Sequence, residues 1–130
     1  MTIATTAMYA AILGLIGVYL AFGAGSGRLR TKVSLGTGDD VQLLEAVRKH
    51  GNFAEHVPLA LILIALLELS QGASSMTLHV MGGGLVLARI AHPLGLSMEN
   101  MNHPMRAVGA GLTALITLVA SGMLLWNHFM

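Results

Sequence analysis

The sequence predicts an all-α integral membrane protein, a four-transmembrane-helix bundle forming a single domain over residues 1–130. Three observations carry the prediction. Of the 130 residues, 55% are hydrophobic and only 10% charged, where a soluble domain carries about 25% charged residues, and the mean hydropathy is +0.73. The apolar residues gather into four long stretches divided by short polar connections. The Lys and Arg residues then fall on alternate connections, as they do when a chain is threaded through a bilayer.

The first stretch runs from Ile3 to Ala24. Its small residues, among them Ala10, Gly14, Gly17 and Ala21, recur at near-helical spacing and permit close helix packing. Met1 to Gly27 contains no charge, so it lacks the basic start of a cleavable signal peptide and is expected to be retained. A Gly-rich linker, Gly25 to Asp40, carries Arg28, Arg30 and Lys32, and Asp39 and Asp40 suit the N-cap of the next helix. The second span runs from Val41 to Leu69, roughly 43 Å at 1.5 Å per residue, long enough to project from the bilayer. Gln71 to Ser75 forms a turn without Lys or Arg. The third span covers Met76 to Leu96, with Gly82-Gly83-Gly84 near its middle. Ser97 to His103 is a second short loop, and Pro104 suits the first turn of a fourth span ending near Asn127. Arg28, Arg30, Lys32, Arg48 and Lys49 lie at one pair of span ends, and Arg89 and Arg106 at the connection of spans three and four. The basic side is therefore expected in the cytoplasm, with both termini outside.

The second span contains the most informative residues. Its purely aliphatic part, Leu59 to Leu67, is far shorter than the roughly 20 residues needed to cross the hydrocarbon. The helix must therefore carry its own polar half, Arg48 to Pro58, into the bilayer, where ionisable groups are costly without a partner or a cavity. At about 100° per residue, Arg48, Asn52 and Glu55 fall within a stripe some 60° wide. Glu45 lies close to that stripe, and Leu59, Ile62 and Leu66 continue it as an apolar surface. Arg89 and His92, at i and i+3 in span three, reach the same depth, as do Arg106, Arg28 and Arg30. The expected result is a basic pocket with an acidic partner and an apolar floor. Arginine forks bind carboxylates in bidentate fashion, Asn52 both donates and accepts, and a cation beside a ligand thiol favours the thiolate.

Other chemistries have less support. The chain contains no Cys, which excludes disulfides and thiolate zinc sites, and its His residues form no HExxH pair, so no metal site is expected. Gly82-Gly83-Gly84 lacks the Lys and Ser/Thr of a phosphate loop and reads as helix packing. His79 reads as a histidine satisfied within the bundle, His92 as bonded to a neighbouring carbonyl, and Glu68 and Glu99 as solvated. Nothing directs the reading toward nucleic acid. A small multidrug exporter needs a carboxylate in its first span, and this first span has none.

The stretch Arg48-x-His50-x-Asn52-x-x-Glu55-x-x-Pro58 resembles the signature of the MAPEG family, the membrane-associated proteins of eicosanoid and glutathione metabolism. The likeness extends to Arg28-Leu29-Arg30 after the first span, Arg89-x-x-His92 in the third and Pro104-x-Arg106 opening the fourth. It implies a homotrimer with glutathione bound as co-substrate between neighbouring subunits, at the cytoplasmic side of a bacterial inner membrane. It further implies that Arg28, Arg48, His50, Asn52, Glu55 and Arg89 hold glutathione and that Arg106 stabilises its thiolate. The implied activity is transfer of glutathione to lipophilic small molecules, or reduction of lipid hydroperoxides. The sequence departs from the family pattern at two positions. Eicosanoid-forming members carry a tyrosine where this chain has Leu96, and the prostaglandin-forming branch carries a serine where it has Ala107. Both argue against leukotriene or prostaglandin synthesis and keep open a non-catalytic glutathione- or lipid-binding scaffold of the same fold.

Overall fold

The computed structural model describes residues 2–130, which form four helices: α1 (Ala4–Thr31), α2 (Val41–Leu69), α3 (Ser75–Gly95) and α4 (Pro104–Phe129). No strand occurs among the described residues. α1, α2 and α4 are long and apolar enough to cross a membrane. α3, at 21 residues, or about 32 Å, has the length, but its four glycines, His79, Arg89 and His92 dilute its apolar content. Several of these residues point inward: Gly82, Arg89 and His92 are buried. α3 packs against all three other helices, whereas α1 and α4 do not touch. The chain is thus an all-α membrane bundle with α2 and α3 at its centre.

Three helices start on a side-chain cap from the preceding residue. Asp40 accepts from the Leu43 N–H at 2.7 Å, Ser74 from Thr77 at 3.1 Å, and His103 Nδ1 from Met105 at 3.2 Å. Each satisfies one of the amides that a helix N-terminus leaves free. The first residue before α1, Ile3, makes no such bond. The end of α2 supplies it instead: Glu68 accepts from the Thr5 N–H at 2.9 Å, the Thr6 N–H at 2.7 Å and the Thr6 hydroxyl at 2.6 Å. Glu68 is therefore not the solvated carboxylate expected from its place near a span end. Its charge sits at the positive end of the α1 dipole and ties two helices together.

α1 also differs from expectation at its far end. It continues to Thr31, so Arg28 and Arg30 stand on the helix rather than in a linker. The connection that follows folds back over the last turn. Arg28 Nη1 donates to the carbonyls of Val33, Ser34 and Gly36 at 3.2, 3.1 and 2.9 Å. The Arg30 fork grips both oxygens of Asp40 at 3.1 and 2.8 Å. This pairing, with the Leu43 N–H, holds the Asp40 carboxyl below the ordinary carboxylate range.

The core runs along α2 and α3, with Leu13 of α1 and Ile116 and Ala120 of α4 closing it. The glycine triplet serves packing: the Tyr9 ring lies where a Cβ on Gly82 would stand, and Ile116 lies against Gly84. The Tyr9 hydroxyl and His79 Nδ1 share a hydrogen bond at 3.0 Å, which satisfies the histidine as expected.

Candidate functional site

α2 and α3 run antiparallel, so the first half of one lies beside the second half of the other. Asn52 and Arg89 meet there. Arg89 Nη1 donates to Asn52 Oδ1 at 2.9 Å, and Nη2 donates to the Gly109 carbonyl of α4 at 2.8 Å. The arginine is only 1% exposed. Both acceptors are neutral, and Nε has no partner. Gly109 allows this approach: a Cβ there would stand 2.6 Å from the Ala88 carbonyl oxygen and 2.7 Å from the His92 backbone nitrogen. α3 and α4 therefore close tightly enough for a guanidinium on one to reach a carbonyl on the other.

A small pocket of about 240 Å³ opens on one side of this junction. Arg48 and Asn52 reach it from α2, His92 from α3, Leu96 to Met98 and Met101 from the end of α3 and the following loop, and Arg106 from α4. No carboxylate lines it. The loop is held by Glu45, whose Oε1 accepts from the Met98 N–H at 2.6 Å. Gly95 lets the first turn of α4 lie directly against the end of α3, since a Cβ there would collide with the Arg106 backbone. That close packing sets Arg106 beside the pocket.

On the other side, among α1, α2 and α3, lies a larger cavity of about 710 Å³. Arg89 forms part of its wall. Its partner Asn52 lines the small pocket, so the Arg89–Asn52 pair stands between the two spaces.

The residues singled out in the sequence are distributed around this arrangement. Arg48, Asn52 and Arg106 come together in the small pocket. Arg89 reaches it only through Asn52. Glu55 lies 3.9 Å from Arg48 on the exposed surface of α2, with both side chains more than half exposed. His50 lines neither cavity, and Arg28 is committed to the loop carbonyls. His92 makes no bond to a carbonyl among the described residues; it is buried, and its side chain faces the pocket. The contribution of the loop, Ser97, Met98 and Met101, was not foreseen. Its anchor joins residues 53 positions apart in sequence, which no local pattern announces. Among the described residues no group of three or more His, Asp or Glu is placed to hold a metal ion.

A bundle of apolar helices with a pocket lined by Arg48, His92 and Arg106 and by no carboxylate defines a multi-pass membrane protein. The model of the MAPEG family matches residues 6–126, and the chain belongs to that family. It is similar to the inner membrane protein YecN of Escherichia coli, in strains K12 and O6:H1. The identity is 27% over 118 residues, covering 91% of this chain and 89% of YecN. No solved structure matches it.

Proposed function

We propose that the chain is a glutathione-dependent transferase or peroxidase of a bacterial inner membrane, acting as a homotrimer on lipophilic electrophiles or lipid hydroperoxides. The observation that carries this reading is the small pocket, in which Arg48, Asn52 and Arg106 converge from two helices with no carboxylate among the lining residues. Such a site draws an anionic peptide rather than a cation, and the guanidinium groups match its carboxylates in bidentate fashion. Asn52 is held by Arg89 and so presents its amide in a fixed orientation. Arg106 is the thiolate partner: a cation beside the sulfur lowers the cost of its negative charge. Proximity then does the rest, with the second substrate arriving from the lipid.

Two observations favour a neighbouring subunit, and the number three comes from the family resemblance alone. One chain offers about 240 Å³, below the roughly 300–1,000 Å³ of sites that enclose a small ligand, so a neighbour must complete the walls. Glu55 and Arg48, paired with each other only at 3.9 Å and more than half exposed on a membrane helix, keep polar capacity that a second subunit or the bound peptide would satisfy. His50 and Glu55 are assigned to that shared boundary. Arg28 is assigned to the loop beside it rather than to the ligand.

The test is turnover of an aromatic halide and of a lipid hydroperoxide with glutathione by the purified protein. Arg106→Ala should lower the rate about 10²-fold, the scale for removing one preorganised electrostatic contact, while glutathione binding falls less. An unchanged rate would remove Arg106 from its role. One observation favours a second reading. Leu96 lines the pocket and brings no hydroxyl to the position where eicosanoid-forming members carry one. A binding scaffold would take up glutathione in calorimetry yet react with no electrophile.

A further inference from the structure

We propose that the larger cavity, among α1, α2 and α3, is a second and separate binding site, for a compact amphipathic organic acid with an apolar body about 12 Å long and one carboxylate. The length is that of the α1 wall, Leu15 to Gly23, at 1.5 Å per residue. The cavity measures about 710 Å³, within the range of sites that enclose organic ligands. Its walls differ in character. α1 presents Leu15, Tyr19 and Phe22 at i, i+4 and i+7, and α3 presents Ile90 and Leu94. α2 presents Gln42, Glu45 and Lys49 at i, i+3 and i+7, a polar stripe along one face. A ligand here has one apolar side and one polar side.

Charge selects the acid. Lys49 and Arg89 lie at the deep end of the cavity, one to two turns further from the loops than Gln42 and Leu94. Glu45 is the one carboxylate of the lining, and its Oε1 already accepts from the Met98 N–H. Lys49 has no ion-pair partner among the described residues. Arg89 is bonded only to neutral oxygens and keeps an unpartnered Nε. Two cations against one engaged carboxylate leave a positive excess at membrane depth, where an uncompensated charge is costly. A carboxylate beside Lys49 removes it; Arg89, buried in the wall, adds its positive field without touching the ligand. Entry is from the side: Tyr19, Phe22 and Leu94 are exposed on the outer surface of apolar helices, so a ligand that partitions into the bilayer would reach the cavity laterally. This site does not depend on glutathione chemistry, but Arg89 is common to the wall of one cavity and to Asn52 of the other.

The matched probes pyrenebutyrate and pyrenebutanol, titrated by fluorescence anisotropy into the full chain in phosphatidylcholine nanodiscs, test the assignment. Saturable binding of one pyrenebutyrate per chain is expected, about tenfold tighter than the alcohol, the loss that accompanies one charge-assisted contact. Lys49→Gln should bring the acid down to the level of the alcohol and leave the alcohol unchanged. Leu94→Trp, on the exposed rim, should close the opening and abolish saturable binding of both probes with the melting temperature retained. Saturating glutathione should displace neither. Partitioning no greater than into empty nanodiscs, which a second copy sealing the groove would also produce, overturns the proposal. So does an acid preference that survives Lys49→Gln, or displacement by glutathione.

Discussion

A guanidinium at 1% exposure, bonded to one amide and one backbone carbonyl, leaves its charge without a counter-ion inside a membrane bundle. Hydrogen bonds to charged groups contribute about 1.5–3 kcal/mol each, so Asn52 is as much a structural partner of Arg89 as a part of the pocket. Asn52→Leu should cost about that amount in the thermal unfolding of the solubilised protein. Asn52→Asp separates the two roles. It keeps an acceptor for Arg89 and adds the missing negative charge, so stability should hold. The pocket, meanwhile, loses part of its positive excess, so calorimetric binding of glutathione should weaken. Equal losses of stability in both variants would show that the amide geometry, not the charge, is what Arg89 requires.

Helix ends decide how the elements are held, and two of these contacts depend on an ionised carboxylate. Glu68 stands at the N-terminus of α1, where the aligned backbone dipoles favour negative charge. Glu68→Gln removes that charge and turns an amide NH₂ toward N–H donors. It should cost about 0.5–2 kcal/mol, as the loss of a cap does, and hydrogen exchange at Thr5 and Thr6 should accelerate while the core of α1 remains protected. Asp40, outside the spans, is held below its ordinary value of about 3.9 by the Arg30 fork and the Leu43 N–H. A carboxyl whose folded pKa is depressed stabilises the fold above the unfolded value and loses that contribution as pH falls through the folded one. The clamp over the connection after α1 should therefore persist at neutral pH and open only in acid. The carboxyl resonance of Asp40 in a carbon-13 titration should move to higher midpoint in Arg30→Gln. The bounds of α2 were legible because Asp40 is a local cap and a polar turn follows Leu69. The end of α1 was not. Gly25 and Gly27 read as a linker, and the contacts that keep the helix going, Arg28 and Arg30 on the folded-back loop, lie up to ten residues ahead. The site divides in the same way. Arg48 and Asn52 share a pocket because helical spacing alone puts them on one face. Arg89 and His92, also one turn apart, part company because Asn52 and Gly109 capture the arginine before it reaches the pocket.

At the scale of the whole molecule, the cations of this chain lie toward one end of the bundle. Arg28, Arg30 and Lys32 close α1, Arg48 and Lys49 occupy the first half of α2, Arg89 the second half of α3, and Arg106 the first turn of α4. At the other end, the turn between α2 and α3 and the last turn of α4 carry neither Lys nor Arg. Acidic residues weigh little in membrane orientation, so Asp39, Asp40, Glu45 and Glu99 do not offset the bias. Both ends of the chain are then expected outside the cytoplasm, with the small pocket opening toward it. The absence of Cys makes the measurement direct, because any introduced thiol is the only one present. Gln71→Cys, in the exposed turn between α2 and α3, should react with a membrane-impermeant maleimide in intact spheroplasts. Ser34→Cys, in the loop after α1 where only the backbone carbonyl is engaged by Arg28, should react only in inside-out vesicles. The reverse pattern would place the cation-lined pocket on the face away from the cytoplasm. It would then be out of reach of cytoplasmic glutathione, and the pocket would have to serve a different anion.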